Sequence, residues 1–243
     1  MAYREDVDLE FLGNLQSSDL NDLVQCLVYG TDGEKRLTEE LSQSEIYKKH
    51  HPNHNKYWKE IAAEIQTFGA NTFATIFRAG KGVLYREVLE DVAAKLKVKY
   101  DKTIKTDELE TALLKKILGD SATQMSVHDL QTLAAEAKVS AAEGLSKEAL
   151  TAVLLGALNY SPRLTLIVTN TILTSVGFQI SKNVLGRSLA VLTGPIGWAL
   201  TAAWTGIDIA GPAFRVTMPA VLHVALLRKM DTFKLSLNTG ETD

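Results

Sequence analysis

VLEDVAAKLKVKYDKTIKTDELETALLKKILGD, residues 88–120, and DLQTLAAEAKVSAAEGLSKEALTAVLLGALNYS, residues 129–161, align without a gap at an offset of 41. Leu89 falls on Leu130, Val92 on Leu133, Ala93-Ala94 on Ala134-Ala135, Val98 on Val139 and Ile104 on Leu145. Further along, Leu109 meets Leu150, Leu113-Leu114 meets Leu154-Leu155, and Ile117 meets Leu158. Apolar residues at steps of three and four put one face of a helix into a core. Each segment therefore reads as a helix, an extended loop and a second helix. The second helices are announced by Thr106-Asp107-Glu108 and Ser146-Lys147-Glu148, residue types that cap free backbone N–H groups. Such pairs cannot bury their own apolar faces and must pack on each other or on a central helix. A looser echo lies at Leu20 to Leu41.

Outward from this repeat the helical reading continues. From Trp58 the residues Ile61, Ile65, Phe68, Thr72 and Ile76 mark one helix face that ends at Gly80-Lys81-Gly82, and a further helix fits Tyr85 to Leu96. Strand-like alternation is confined to Val98 to Tyr100, too short for a sheet. The class is all-α: helix-extended-loop-helix pairs packed with a glycine-rich, apolar C-terminal helical hairpin. In that hairpin, Leu164 to Ser181 mixes apolar residues with Thr165, Thr169, Asn170, Thr171 and Thr174, polarity that suits contact between helices. Ser188 to Ile207 holds 20 uncharged residues, near the length that spans a bilayer core, but Gly194-Pro195-Ile196-Gly197 breaks it. Gly194, Pro195 and Gly197 accordingly mark the hairpin tip. Asp208 and Arg215, two helical turns apart, are expected to pair in an apolar setting, and His223 to sit in the core.

The 243 residues carry 46% hydrophobic and 23% charged side chains, which excludes a disordered chain and one wholly embedded in a membrane. Residues 1–162 hold 19 Lys+Arg and 25 Asp+Glu, whereas residues 163–243 hold 7 and 4, so an acidic front precedes an apolar, slightly basic back. Four segments follow: a small helical module at 1–43, a central helical region at 44–162 containing both repeats, an apolar helical region at 163–230 and a polar tail at 231–243. A net charge of −3 and no basic face on the repeats argue against a nucleic-acid partner. The acidic start, with Arg4, Glu5, Asp6, Asp8 and Glu10, lacks the pattern of a cleaved export signal, so a cytoplasmic location is expected, with the inner membrane as a site of attachment. Cys26, the single cysteine, lies in an apolar run and reads as a packed thiol.

Motifs for chemistry are missing. There is no H-E-x-x-H, G-x-S-x-G or C-x-x-C, and Gly80-Lys81-Gly82 lacks the Ser or Thr that a phosphate loop places after its lysine. The candidate metal ligands are His50, His51 and His54, but Pro52 interrupts their spacing and no nearby Cys or carboxylate completes a tetrahedral set. Beside Lys48-Lys49 and Lys56 they read instead as a solvated loop that responds to pH. Glu60 and Glu64, one helical turn apart, lack the histidine three residues on that a di-iron helix supplies, and read as a solvated helix face. No catalytic residue and no cofactor is expected.

The stretches YWKEIAAEIQ at 57–66, FGANT at 68–72, GVLYREVLEDV at 82–92 and AGPAFRVTMP at 210–219 together resemble the bacterial YaaW family, with similarity from Ala2 to about Arg228. That family's middle portion is grouped loosely with the ubiquinol-cytochrome c chaperone domain, so the resemblance implies a part in folding or assembling a membrane respiratory protein and transfers no catalytic residue. The expected function is a non-enzymatic helical interaction protein at or near a membrane, a chaperone or assembly factor with a protein client. The alternative is a membrane-perturbing protein whose 164–227 hairpin inserts. Bilayer association and soluble burial of that hairpin stay equally open, as does self-association.

Overall fold

A computed structural model describes residues 2–72, 82–140, 144–175, 177–178, 197, 199 and 214–239. Among them the regular structure is helical, and no strand forms beyond one isolated antiparallel bridge between Tyr29 and Lys35. Nine α-helices are described: α1 (Ser17–Val28), α2 (Glu45–His50), α3 (Trp58–Thr72), α4 (Tyr85–Lys95), α5 (Thr106–Ala122), α6 (Val127–Glu136), α7 (Lys147–Ala157), α8 (Pro162–Ser175) and α9 (Phe214–Thr239). Short 3-10 turns at Glu10–Asn14, Leu41–Gln43 and His54–Tyr57 join the first three.

The contacts divide the chain into two compact units, one of Met1–Lys95 with Ile209–Asp231 and one of Leu96–Asp208 with Thr232–Asp243. This division follows contacts, whereas the sequence segments follow composition, and it falls within the first 41-residue repeat, after α4.

In the first unit α3 is the central element. Ile61, Ala62, Ala63, Glu64, Ile65 and Gln66 are consecutive and all buried, so the helix is covered on every side rather than along one stripe. α1, α4 and the 3-10 turns pack around it. Gln66 ties three segments together. Its side-chain amide accepts from the Arg4 N–H at 3.0 Å and donates to the Arg4 carbonyl at 2.9 Å, while its backbone carbonyl accepts from Val83 N–H at 3.2 Å. Gly82 is required by this approach, because a Cβ there would stand 2.7 Å from the Gln66 Cβ and 3.1 Å from its carbonyl carbon. Asp6 caps the start of α4 by accepting from Tyr85 N–H at 2.7 Å, and Gln66 Nε2 donates to the same carboxylate. Arg228 on α9 donates to the Asp8 carbonyl at 2.6 Å and stacks over Phe11, 4.4 Å from its ring centre.

In the second unit α5 touches α7 and α8, and α6 touches the same two helices. Ser126 and Ser146 cap α6 and α7 by accepting from Asp129 N–H and Ala149 N–H. At α5 the cap comes instead from Glu108, which accepts from Lys105 N–H at 3.0 Å, one residue ahead of Thr106. After α4 and after α6 the chain turns through a left-handed residue, Lys97 (φ 55°) and Lys138 (φ 53°), forty-one positions apart.

Candidate functional site

The first unit buries charged and polar side chains from helices α1, α3 and α9 and from the segments that join them, among them Asp22, Glu39, His54, Glu64 and His223. His54 is buried at 2% exposure. Its Nδ1 lies against the Tyr57 hydroxyl and its Nε2 is 3.4 Å from Asn21 Oδ1. Asn21 Nδ2 in turn donates to Asp22 Oδ1 at 3.1 Å, and His51 Nδ1 stands 3.4 Å from the same Tyr57 hydroxyl. One assignment of protons satisfies the whole chain: His51 donates to the Tyr57 oxygen, Tyr57 donates to His54 Nδ1, and neutral His54 donates through Nε2 to Asn21. A proton on His54 Nδ1 would face the tyrosine proton. Burial, with a smaller contribution from His51, holds His54 down to about 4. His223 on α9 is likewise pushed down to about 4 by burial, against the opposing pull of the Asp22 carboxylate.

This corrects the reading of 50–54 as a wholly solvated loop. His51 is exposed and His50 half-buried, but His54 points inward because Tyr57, three residues later on the same 3-10 turn, is fully buried and offers it a hydroxyl. The rings of His51 and His54 pack edge to face at 5.5 Å, with their Nδ1 atoms turned to Tyr57. Among the described residues no three His, Cys, Asp or Glu side chains are placed to hold a metal ion.

Glu64 is the second correction. It is buried at 1% exposure, not on a solvated face, because the 39–43 segment crosses α3 there. Both its carboxylate oxygens accept from the Glu40 backbone N–H, at 3.1 and 3.3 Å. Burial raises its carboxyl to about 7; the Glu40 N–H works against the rise, and the charges of Glu39 and Glu40 add to it. Glu39 is buried beside it and accepts from both the N–H and the hydroxyl of Ser42, closing the turn that lays this segment on α3. Glu60, one turn earlier, is half-buried. Cys26 is buried, and its thiol is pushed up to about 12, so it packs rather than reacts.

Of the remaining predicted residues, Arg215 is exposed in the first turn of α9 and Gly197 is helical and buried. Asp208, Gly194 and Pro195 lie outside the described residues. On α8 the Thr165, Thr169, Asn170 and Thr171 side chains are buried, and Thr169 Oγ1 and Asn170 Nδ2 have no hydrogen-bond partner among the described residues. α7 and α8 meet at 102°, and among the described residues no single helix is long and apolar enough to cross a membrane.

The His54–Asn21 link joins the spans of two different family models. Residues 3–37, which contain Asn21 and Asp22, match a domain of unknown function, DUF3944. Residues 53–222, which contain His54 and Glu64, match the ubiquinol-cytochrome C chaperone family. Over nearly its full length the chain is 44% identical to a UPF0174 protein of Helicobacter pylori strain J99, across 236 residues that cover 94% of this chain and 93% of that one. This chain belongs to the UPF0174 family. The UPF0174 protein YaaW of Escherichia coli strain K12 is 34% identical over 233 residues, covering 94% of this chain and 96% of its own, in agreement with the resemblance drawn from the sequence motifs. No solved structure matches this UPF0174 chain. Neither matched module contains the whole network, since His54 reaches from the chaperone-like span to Asn21 in the N-terminal one. The Asp6–Gln66 contact bridges the two modules in the same way. The short N-terminal module is therefore a built-in cover for α3.

Proposed function

We propose that this UPF0174 protein is a non-enzymatic, all-helical chaperone or assembly factor that engages a protein client at or near the cytoplasmic face of the inner membrane. The match of residues 53–222 to the ubiquinol-cytochrome C chaperone family carries the reading, since it covers α3 to α8 and the start of α9. The polar groups described above support a binding role rather than a reaction. In the first unit the buried Asp6, His54 and Glu64 each hold one segment to another, and the one thiol is buried. Two further features suit work beside a membrane: the glycine-rich apolar back of the chain, and the buried threonine and asparagine side chains of α8.

The test is site-specific photocrosslinking in cells with probes at exposed positions of both units, followed by fractionation. Crosslinks to respiratory or other inner-membrane subunits, together with slower assembly of those subunits when the gene is deleted, are the expected result. A chain that crosslinks to no protein while its deletion leaves membrane-complex assembly unchanged would refute the reading.

A further inference from the structure

Residues 47–59, YKKHHPNHNKYWK, contain four lysines and three histidines and no Asp or Glu, in a chain whose net charge is −3. The structure gathers this stretch into one corner of the first unit. α2 ends on Lys48, Lys49 and His50, the 3-10 turn His54–Tyr57 follows, and α3 begins at Trp58. The inner side of the corner is fixed by the rings of Tyr47, His51, His54 and Tyr57. Tyr47 stacks on His51 at 4.8 Å and lies 5.2 Å from Tyr57, which is buried. The outer side presents Lys48, Lys49, His51, Lys56 and Lys59, all exposed. Lys59 Nζ lies 5.7 Å from the Trp58 ring centre and 5.9 Å from that of Tyr3, and these two half-buried rings meet edge to face at 5.5 Å.

We propose that this α2–α3 corner is the surface by which the protein binds a bilayer of anionic phospholipid. Clustered lysines meet the phosphates of the headgroups, and Trp58 and Tyr3 bring amphipathic rings of the type that settles at headgroup depth. The rest of the chain favours a flat partner over a polyanion that wraps. Outside the corner the formal charge is −7, which repels a nucleic acid that curls round the protein but leaves a sheet free to meet one face. The ion pair between Lys48 and Glu45, 3.0 Å apart with both side chains exposed, is too weakly held to withdraw Lys48 from such a surface. The assignment rests on the membrane part of the proposed function and names the surface that carries it.

The test is co-sedimentation of the full chain with vesicles of phosphatidylcholine alone and of phosphatidylcholine with about a third phosphatidylglycerol, at low and high salt. Two charge-matched variants are compared: K48Q/K49Q/K56Q/K59Q at the corner and K97Q/K99Q/K102Q/K105Q in the loop between α4 and α5. Binding to the anionic vesicles alone is expected, weakened by salt. Each corner lysine contributes roughly fivefold, so the corner variant loses several-hundredfold and the loop variant less than about tenfold. The milder K48Q/K49Q, with an expected loss of about 25-fold, gives the same reading if the fourfold change impairs folding. Equal losses in the two charge-matched variants would overturn the assignment. So would tighter binding to a short RNA at matched phosphate concentration. Equal, salt-insensitive binding to both vesicle types would overturn the corner while leaving the membrane reading standing on the apolar back. Binding to neither vesicle would remove both.

Discussion

Replacing Glu64 by Gln isolates one of three buried titrations, the one that opposes the other two. Folded Glu64 takes a proton near pH 7, whereas the unfolded carboxyl does so at an ordinary 4.5. The folded state therefore binds the extra proton between those values and gains stability as pH falls, by about 3 kcal/mol in full for a shift of about 2.5 units. His54 and His223 run the other way. Each stays neutral in the fold down to about 4 but is protonated from 6.5 downward when unfolded, so each loses stability as pH falls through that window. All three are almost fully buried, so no discount for solvent applies. Between pH 7 and 5 the carboxyl contributes about +2 kcal/mol and each histidine about −2 kcal/mol. Asp91, half-buried and raised to about 7, adds a smaller, solvent-screened share on the side of the carboxyl. The natural chain is thus expected to lose roughly 1 kcal/mol of stability between pH 7 and pH 5, because two histidines outweigh the carboxyls. The E64Q variant keeps the side-chain oxygen that accepts from Glu40 N–H but cannot titrate. Relative to the natural chain it should lose about 2 kcal/mol on going from pH 7 to pH 5, read as a melting temperature about 4–8 °C lower. H223Q should shift by a similar amount in the opposite direction. Calorimetry or circular-dichroism melts at a series of pH values supply the comparison. Parallel profiles for E64Q and the natural chain would refute the reasoning, because they would mean that Glu64 titrates alike in both states.

Gly69 on α3 faces α4 so closely that a Cβ would stand 2.4 Å from Val88 Cγ2 and 2.7 Å from Val83 Cγ2. G69A should cost about 1–3 kcal/mol, and V88A in the same chain should restore part of it, as chemical denaturation would show. G82A meets the side chain and backbone of Gln66 and should cost at least as much, with no single side-chain change to relieve it. The left-handed turns at Lys97 and Lys138 should each gain up to about 1 kcal/mol when the lysine is replaced by Gly; a loss at either would contradict the backbone geometry. N21A removes the acceptor of His54 Nε2 inside the core and should cost about 1–3 kcal/mol, in contrast to near-neutral removal of the exposed Lys49.

The helical class was legible in the chain because helix signals are local. The 3.6-residue spacing of Leu109, Leu113 and Ile117 and the capping serine Ser146 each depend on residues within a turn or two. The packed thiol of Cys26 was legible for the same reason, since its neighbours in sequence are also its neighbours in the core. The positions of Glu64 and His54 were not. On the sequence His54 stands among lysines and reads as loop, and Glu64 reads as one of two carboxylates a helical turn apart on a solvated face. Only the fold brings residues 39–43 across α3 to cover Glu64, and only the fold brings Asn21 of α1 to His54, thirty-three positions away. Burial depends on what arrives from a distance, and one chain read locally carries no record of which segment that is. Gln66 shows the same limit from the other side. Gln66 is a polar residue, yet it is fully buried because Arg4, Asp6 and Val83 converge on it with matching donors and acceptors. The sequence by itself determined the helices and their apolar faces, through interactions no longer than a helical turn. The tertiary structure decided which polar groups lie inside, because that depends on pairing hydrogen bonds between segments far apart in the chain.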